Sequence, residues 1–128
     1  MPISRLLKLQ WLYCFLGILF NLVSWAVLSK SGKPLTPTAP LSGLAVMAIY
    51  GLFLVAGQFK QISLYRTLMV VAILILGYGG IFNHFKLLNQ AQELYHSLWV
   101  GLIAIAINAF GLILNSLAAL GRFKLDSL

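Results

Sequence analysis

Three side chains that could bind a metal ion gather in one polar stretch of this sequence. His84, Glu93 and His96 lie between two strongly apolar segments. Glu93 and His96 are three residues apart and would share one face of a helix, a ligand spacing found in di-iron bundles. Such a site also needs a second pair and further carboxylates, whereas Asp126 is the only other acid. Two interpretations stay open: a metal ion or haem edge held by the two histidines, or a water-exposed interfacial loop, which we favour.

Uncharged amides offer a second kind of chemistry. Asn21, Asn108 and Asn115 stand inside long apolar segments. A carboxamide there can bond across to a neighbouring helix, or it can line a path for a polar solute, an ion or water. Helix packing is the simpler interpretation, because a transport path more often includes an ionisable group.

The spacing of these amides predicts which helices they join. In the last apolar segment, small and amide residues recur at steps of three and four: Gly101, Ala104, Asn108, Gly111, Asn115 and Ala118. The first segment carries a matching series: Gln10, Cys14, Gly17, Asn21 and Ser24. Steps of three and four place each series on one helix face. We therefore expect these two helices to pack antiparallel along the two faces.

The position of each amide within its segment predicts a register. At about 1.5 Å of rise per residue, Asn21 and Asn108 fall at a similar depth, and their side chains should be close together. The same alignment brings Gly17 to the level of Gly111. It also brings Cys14 to the level of Asn115.

The composition shows which elements must carry these residues. The chain has 128 residues, of which 61% are hydrophobic and 9% charged. Soluble domains carry about 25% charged residues, so this is an integral membrane protein. Four apolar stretches are long enough for the roughly 20 residues that a spanning helix needs. They cover about residues 9–29, 41–59, 65–85 and 98–120. We predict an all-α, single-domain bundle of four transmembrane helices.

Charge predicts the orientation of the bundle. The net charge is +7, and the basic residues sit near the ends of the apolar stretches, which suits lipid headgroups and topology rather than nucleic acid. The side holding both termini carries six cations: Arg5, Lys8, Lys60, Arg66, Arg122 and Lys124. The opposite side carries Lys30, Lys33 and Lys86. The positive-inside rule then predicts that both termini are cytoplasmic, and we expect the protein in the plasma (inner) membrane.

Two further features bear on packing and chemistry. Gly77, Gly79 and Gly80 cluster in the third span, where they favour a kink or a close helix crossing. Cys14 is the only cysteine, so an internal disulfide and a CxxC pair are both impossible. No arrangement of Ser, His and Asp predicts nucleophilic catalysis, and we expect no catalytic activity from this chain alone.

Three functional hypotheses follow from the sequence. The first is a structural or accessory subunit that packs against other membrane proteins or against itself through its small-residue faces. The second is a small channel or facilitator lined by Asn21, Asn108 and Asn115. The third is a redox or metal-binding subunit that uses His84, Glu93 and His96. No cofactor is predicted, although the sequence does not exclude haem, a metal ion or quinone.

Overall fold

The computed structural model describes residues 1–126, and four long helices account for most of this range. They are α1 (Ile3–Ser31), α2 (Pro40–Gln58), α3 (Ile62–Gln90) and α4 (Leu98–Ala119). All four are long and apolar enough to cross a bilayer, which makes the chain a multi-pass membrane protein. The prediction of an all-α, four-span bundle is confirmed.

The helix bounds follow from local chemistry. Pro40 occupies the first turn of α2, where its missing N–H is not needed. Gly32 ends α1 in the left-handed conformation, with φ 78°, and its N–H bonds to the Leu28 carbonyl at 2.8 Å. Ser97 caps α4 by accepting a hydrogen bond from the Val100 N–H at 3.3 Å. The predicted bounds of α2 and α4 agree with the observed bounds to within one residue, whereas α1 and α3 extend further than predicted.

Neighbours in the chain are neighbours in space. α1 packs against α2 and α4, and α3 packs against α2 and α4, so the four helices form a closed ring. A tight turn at Lys60, which has a left-handed φ of 59°, joins α2 to α3. Short connections of this kind give an up-and-down antiparallel bundle. The predicted packing of the first span against the fourth is confirmed.

The helix α3 changes its winding in the middle of the glycine cluster. An α-helical part, Ile62–Gly77, leads into one π-helical turn, Tyr78–Phe82, and then into a second α-helical part, Asn83–Gln90. Gly80 in this turn lies directly against the Asn108 side chain of α4. The expected close approach of a helix at the glycine cluster is confirmed.

Residues 1–4 and residues 124–126 meet at one end of the bundle, which we call the termini end. The Ile3 N–H bonds to the Lys124 carbonyl at 2.9 Å, and the Lys124 N–H bonds to the Met1 carbonyl at 2.9 Å. The Asp126 carboxylate accepts hydrogen bonds from the Ser4 N–H at 3.1 Å and from the Ser4 hydroxyl. These Ser4 bonds hold the pKa of Asp126 below its ordinary value. The tail thus satisfies free donors at the start of α1, which explains why this helix begins earlier than predicted.

The opposite end of the bundle, which we call the far end, is closed by its two loops. Lys33 in the first loop donates to the carbonyls of Tyr95, at 3.0 Å, and Glu93 in the second loop. The His96 N–H bonds to the Leu35 carbonyl at 2.9 Å. These bonds hold the connection between α1 and α2 against the connection between α3 and α4.

The outer surface of the bundle is apolar on every helix. Phe15 on α1, Leu52 on α2, Leu74 on α3 and Trp99 on α4 are each about two-thirds or more exposed, at 65%, 70%, 68% and 74%. Exposed apolar area of this extent is unfavourable in water but neutral in hydrocarbon. The interior instead holds the polar side chains, which lie at two separate levels.

Candidate functional site

The first level is a sealed polar layer in the half of the bundle nearer the termini. We define the polar layer as Gln10 of α1, Tyr50 of α2, Tyr65 of α3 and Asn115 of α4, all of them buried. Gln10 donates to the Asn115 Oδ1 at 3.1 Å, and the Tyr50 hydroxyl donates to the same oxygen at 2.5 Å. The Tyr65 hydroxyl donates to the Gln10 Oε1. One hydrogen-bonded cluster therefore joins all four helices.

Tyr13 of α1 lies on top of the polar layer and separates it from the far half of the bundle. Its ring packs edge-on against Tyr50, with ring centres 5.2 Å apart. Gly111 of α4 makes room for this ring, since a Cβ there would lie 2.3 Å from the Tyr13 Cζ. The Tyr13 hydroxyl donates to the Asn108 Oδ1 at 3.0 Å. Tyr13 thus connects the polar layer to the second level.

The second level is a cavity of about 240 Å³ in the far half of the bundle. All four helices and the loop between α1 and α2 contribute to its wall. The polar side chains in the wall are amides, hydroxyls and one imidazole: Asn21, Thr36, Thr38, Ser42, Asn83, His84 and Asn108. The apolar part of the wall includes Phe20, Met47, Leu76 and Ile107. The α2 and α3 residues that line the cavity come only from the far-end parts of those helices, so the cavity lies on the far side of the polar layer.

The two asparagines of the cavity are held in the same way. The Asn21 Nδ2 donates to the Gly17 carbonyl at 2.8 Å, and the Asn108 Nδ2 donates to the Ala104 carbonyl at 2.9 Å. Each amide therefore bonds one turn back along its own helix. Both side chains border the cavity, and each packs directly against a glycine, Asn21 against Gly43 of α2 and Asn108 against Gly80 of α3.

The predicted register between α1 and α4 is wrong by about one helical turn. Gly111 faces Tyr13, and Asn115 bonds to Gln10, so neither meets the residue expected opposite it. Gly17 packs against Met47 of α2, and the Cys14 thiol donates to the Met47 carbonyl at 3.4 Å. The bulk of the Tyr13 ring, which the prediction did not weigh, sets this register. Asn115 consequently belongs to the polar layer and does not line the cavity.

His84 lies inside the bundle, and its assignment to a water-exposed loop is wrong. The chain is helical at this position, in the part of α3 that follows the π-helical turn, and only 5% of the residue is exposed. Its Nδ1 lies 2.7 Å from the Tyr95 hydroxyl oxygen, and that hydroxyl donates to the His84 carbonyl at 3.3 Å. Burial raises the pKa of the Tyr95 phenol, which therefore keeps its proton. His84 is thus fixed by Tyr95 in the wall of the cavity.

Glu93 and His96 do not join His84. Glu93 lies in a short 3₁₀ turn, Gln92–Leu94, and the chain is extended at Tyr95, so the expected helical face shared by Glu93 and His96 does not form. Both side chains are exposed. Across residues 1–126, no three His, Cys, Asp or Glu side chains come together in an arrangement that could hold a metal ion.

The sequence prediction missed the tyrosines. Tyr13, Tyr50 and Tyr65 are among the largest fully buried side chains, and each donates a hydrogen bond to an amide. A usable signal was present, because a buried tyrosine needs a partner for its hydroxyl and the spans offer few acceptors other than amides. Gln10 belonged to the predicted stripe of α1, but its place in the polar layer was not foreseen.

Comparison with known proteins gives no matching protein family, no similar curated protein and no similar solved structure. The function of this chain is therefore argued from the geometry of the cavity and the polar layer.

Proposed function

We propose that this protein binds a small uncharged molecule inside its helix bundle, without catalytic activity of its own. The observation that carries the proposal is the cavity of about 240 Å³, which lies among all four spans and is bordered by polar groups of these spans and of the loop between α1 and α2. Polar groups that face an internal space in a membrane protein commonly mark a ligand or solute site. A volume below the usual range for drug-sized ligands suits a small molecule.

The wall of the cavity favours a neutral occupant. Its polar groups are amides, hydroxyls and the imidazole of His84, and no Lys, Arg, Asp or Glu among residues 1–126 contributes to it. A charged molecule would lose its hydration without gaining a counter-ion, which is costly at membrane depth. An amphipathic or weakly polar molecule can instead use both the amides and the apolar wall.

Binding fits the geometry better than free passage through a pore. Tyr13 and the polar layer fill the interior between the cavity and the termini end. A solute that crossed the bundle would have to break the hydrogen bonds of Gln10 and Asn115. The facilitator hypothesis is therefore kept only in a modified form, in which Asn21 and Asn108 hold a solute above a closed layer.

The accessory-subunit hypothesis stays a prediction with less support than the sequence alone suggested. Most of the small residues that motivated it face other helices of the same chain. Gly17, Gly51, Gly80, Gly101 and Gly111 each lie against a side chain of the bundle. The described surface instead consists of large apolar residues, which suit lipid.

Filling the cavity tests the proposed function. A Cβ added at Gly79, in the cavity wall, meets no atom within 4 Å, so Gly79→Leu should fit and occupy part of the space. Gly77→Ala is the matched control, because its Cβ makes only an ordinary contact with Leu112 at 3.9 Å and lies outside the cavity wall. Each protein is purified from native membranes in mild detergent and analysed by native mass spectrometry.

We expect a small molecule bound to the wild-type protein and to Gly77→Ala, and lost from Gly79→Leu. A wild-type protein that carries no molecule, or a Gly79→Leu variant that retains it fully, would contradict the proposal. Thermal unfolding of all three proteins checks that the variants are folded.

We also propose that the termini end faces the cytoplasm of a plasma-membrane protein. Six of the nine basic residues belong to this end, which is the expected bias for the cytoplasmic side. Gln92 at the far end and Leu125 at the termini end are both exposed. In a Cys14→Ala background, an impermeant maleimide applied to intact cells should label Gln92→Cys, and it should label Leu125→Cys only after lysis. The reverse pattern would overturn this orientation.

A further inference from the structure

The hydrogen-bonding groups of the cavity are oriented before any ligand arrives. Asn21 and Asn108 are each tied to a carbonyl of their own helix, at 2.8 and 2.9 Å. His84 is tied to Tyr95 at 2.7 Å. Because these bonds fix each side chain, the remaining donors and acceptors indicate which ligand chemistry the site prefers.

One acceptor without a donor is the Asn21 Oδ1, which lies against Gly43 of α2. Its amide nitrogen is the atom that bonds to the Gly17 carbonyl, since a carbonyl can only accept, and this assigns the oxygen to the other side of the amide. No donor reaches that oxygen from within residues 1–126. The Asn108 Oδ1, by contrast, already accepts from the Tyr13 hydroxyl. The two cavity amides are therefore not equivalent toward a ligand.

The second free acceptor is the His84 Nε2. The Tyr95 hydroxyl has one proton, and it donates that proton to the His84 carbonyl. With that donation the hydroxyl oxygen accepts from the His84 Nδ1, an assignment made from the two contacts together that puts the imidazole proton on Nδ1. The Nε2 atom of this neutral tautomer carries a lone pair. It has no partner among the described residues, and its side chain is buried in the cavity wall.

The apolar wall favours an aromatic ring. Phe20 offers a ring for edge or stacked contact, and the thioether of Met47 suits a neighbouring aromatic group. Leu76 and Ile107 complete an apolar lining without charge. The site thus combines apolar walls with these two acceptors and with the hydroxyls of Thr38 and Ser42 and the amide of Asn83.

We propose that the ligand belongs to the neutral phenols, and that its hydroxyl donates a hydrogen bond to the His84 Nε2 while its ring packs between Phe20 and Met47. This inference rests on the proposed function, since it names the class of molecule that the cavity holds. Tyr95 is a positioning residue in this site, because it fixes the tautomer of His84.

Two probes of similar size separate the hydroxyl from the ring. The protein in lipid nanodiscs is titrated with 4-propylphenol and with 1-fluoro-4-propylbenzene, which lacks the donor, and each Kd is corrected for partition into lipid. We expect the phenol to bind about tenfold more tightly, the effect of one hydrogen bond in a water-poor site. Gly79→Leu should weaken the binding of both probes, whereas Gly77→Ala should leave both Kd values unchanged.

Two variants test the roles of His84 and Tyr95. His84→Phe should bring the ratio of the two Kd values close to 1, because it removes the acceptor and leaves the apolar wall. Tyr95→Phe keeps the imidazole but frees its tautomer, so the ratio should fall only in part. If His84→Phe fails to fold, the Tyr95→Phe measurement still tests the proposal, because an unchanged ratio would contradict it.

The outcomes distinguish this inference from the proposed function. Equal affinity of both probes for the wild-type protein would overturn the assignment of His84 as the acceptor. If neither probe binds while a molecule still co-purifies, the phenol class is wrong and the cavity remains a binding site. If neither probe binds and nothing co-purifies, both proposals fail.

Discussion

The two halves of the bundle contain the same kind of side chain, the carboxamide, but in different structural roles. Near the termini, α1 and α4 contribute Gln10 and Asn115, and these amides bond to each other inside a sealed layer. Toward the far end, the same helices contribute Asn21 and Asn108, and these amides bond back to their own helices beside a cavity. The type of residue therefore does not decide whether an intramembrane amide joins helices or lines a space.

The residues opposite the amides decide their role. Tyr50 and Tyr65 supply hydroxyl donors and bulk beside Gln10 and Asn115, so the polar layer is filled and its acceptors are used. Gly43 lies beside Asn21, and Gly80 lies beside Asn108. These glycines supply neither a hydroxyl donor nor bulk. A glycine allows the amide to approach the backbone but cannot complete its hydrogen bonds. Unfilled space and acceptors without a donor therefore remain together in the far half, whereas the polar layer leaves a donor, the buried Asn115 Nδ2, without a partner.

The largest effect is expected from disturbing the boundary between the halves. In Gly111→Ala the new Cβ would lie 2.3 Å from the Tyr13 ring, which is held between Tyr50 and Asn108. Overpacking here should lower the free energy of unfolding by about 2–3 kcal/mol. Reversible unfolding in mixed micelles measures this, with Gly77→Ala as the control. A loss no larger than that of the control would show that Tyr13 is not a fixed boundary.

The next effect concerns the sealed half. Asn115→Leu removes the acceptor of Gln10 and Tyr50, and we expect a loss of about 2 kcal/mol because two buried donors lose their partner. In the Asn115→Leu background, Gln10→Leu should lower the free energy of unfolding by less than it does in the wild-type protein. We expect a coupling free energy of about 1 kcal/mol between the two sites. Strict additivity in this double-mutant cycle would contradict a shared layer.

A smaller effect is expected in the half with the cavity. Asn21→Ala removes only a bond to its own helix and a contact with Gly43, so the free energy of unfolding should change by less than about 0.5 kcal/mol. The same unfolding assay measures this variant beside Asn115→Leu. A loss for Asn21→Ala that equals the loss for Asn115→Leu would erase the proposed difference between the halves.

The smallest effect concerns the contact between the chain ends, next to the sealed half. The pKa of Asp126 is lowered mainly by its hydrogen bond with the Ser4 side chain. A carboxyl whose pKa is lower in the folded state stabilises the fold above its unfolded pKa, and this contribution is lost as the pH falls through the lower, folded pKa. We expect the wild-type Tm to decline slightly more than that of Asp126→Asn as the pH falls below 3.8. If the Tm of the wild-type protein and that of Asp126→Asn fall in parallel with pH, the hydrogen bonds of Asp126 do not contribute to stability.

Much of the fold was predictable because hydrocarbon imposes a simple rule. Long apolar runs in a bilayer must be helical, so the four spans could be read from hydropathy, and Pro40 and Gly32 marked two of their ends. The candidate site was only partly predictable. Asn21 and Asn108 were expected on facing stripes and do border one cavity, but the register depends on the Tyr13 ring, and its fit against Gly111 is a contact between distant segments.

The sequence by itself determined the number of spans, the helical class and the presence of amides on α1 and α4, because these follow from local composition and helical periodicity. Only the tertiary structure decided which amides are paired and which face a space. It also decided that His84 lies inside the bundle with Tyr95 rather than in a loop with Glu93 and His96. Hydrogen bonding and close packing depend on atoms brought together from separate helices, and no pattern along one helix specifies which neighbour, tyrosine or glycine, will lie opposite.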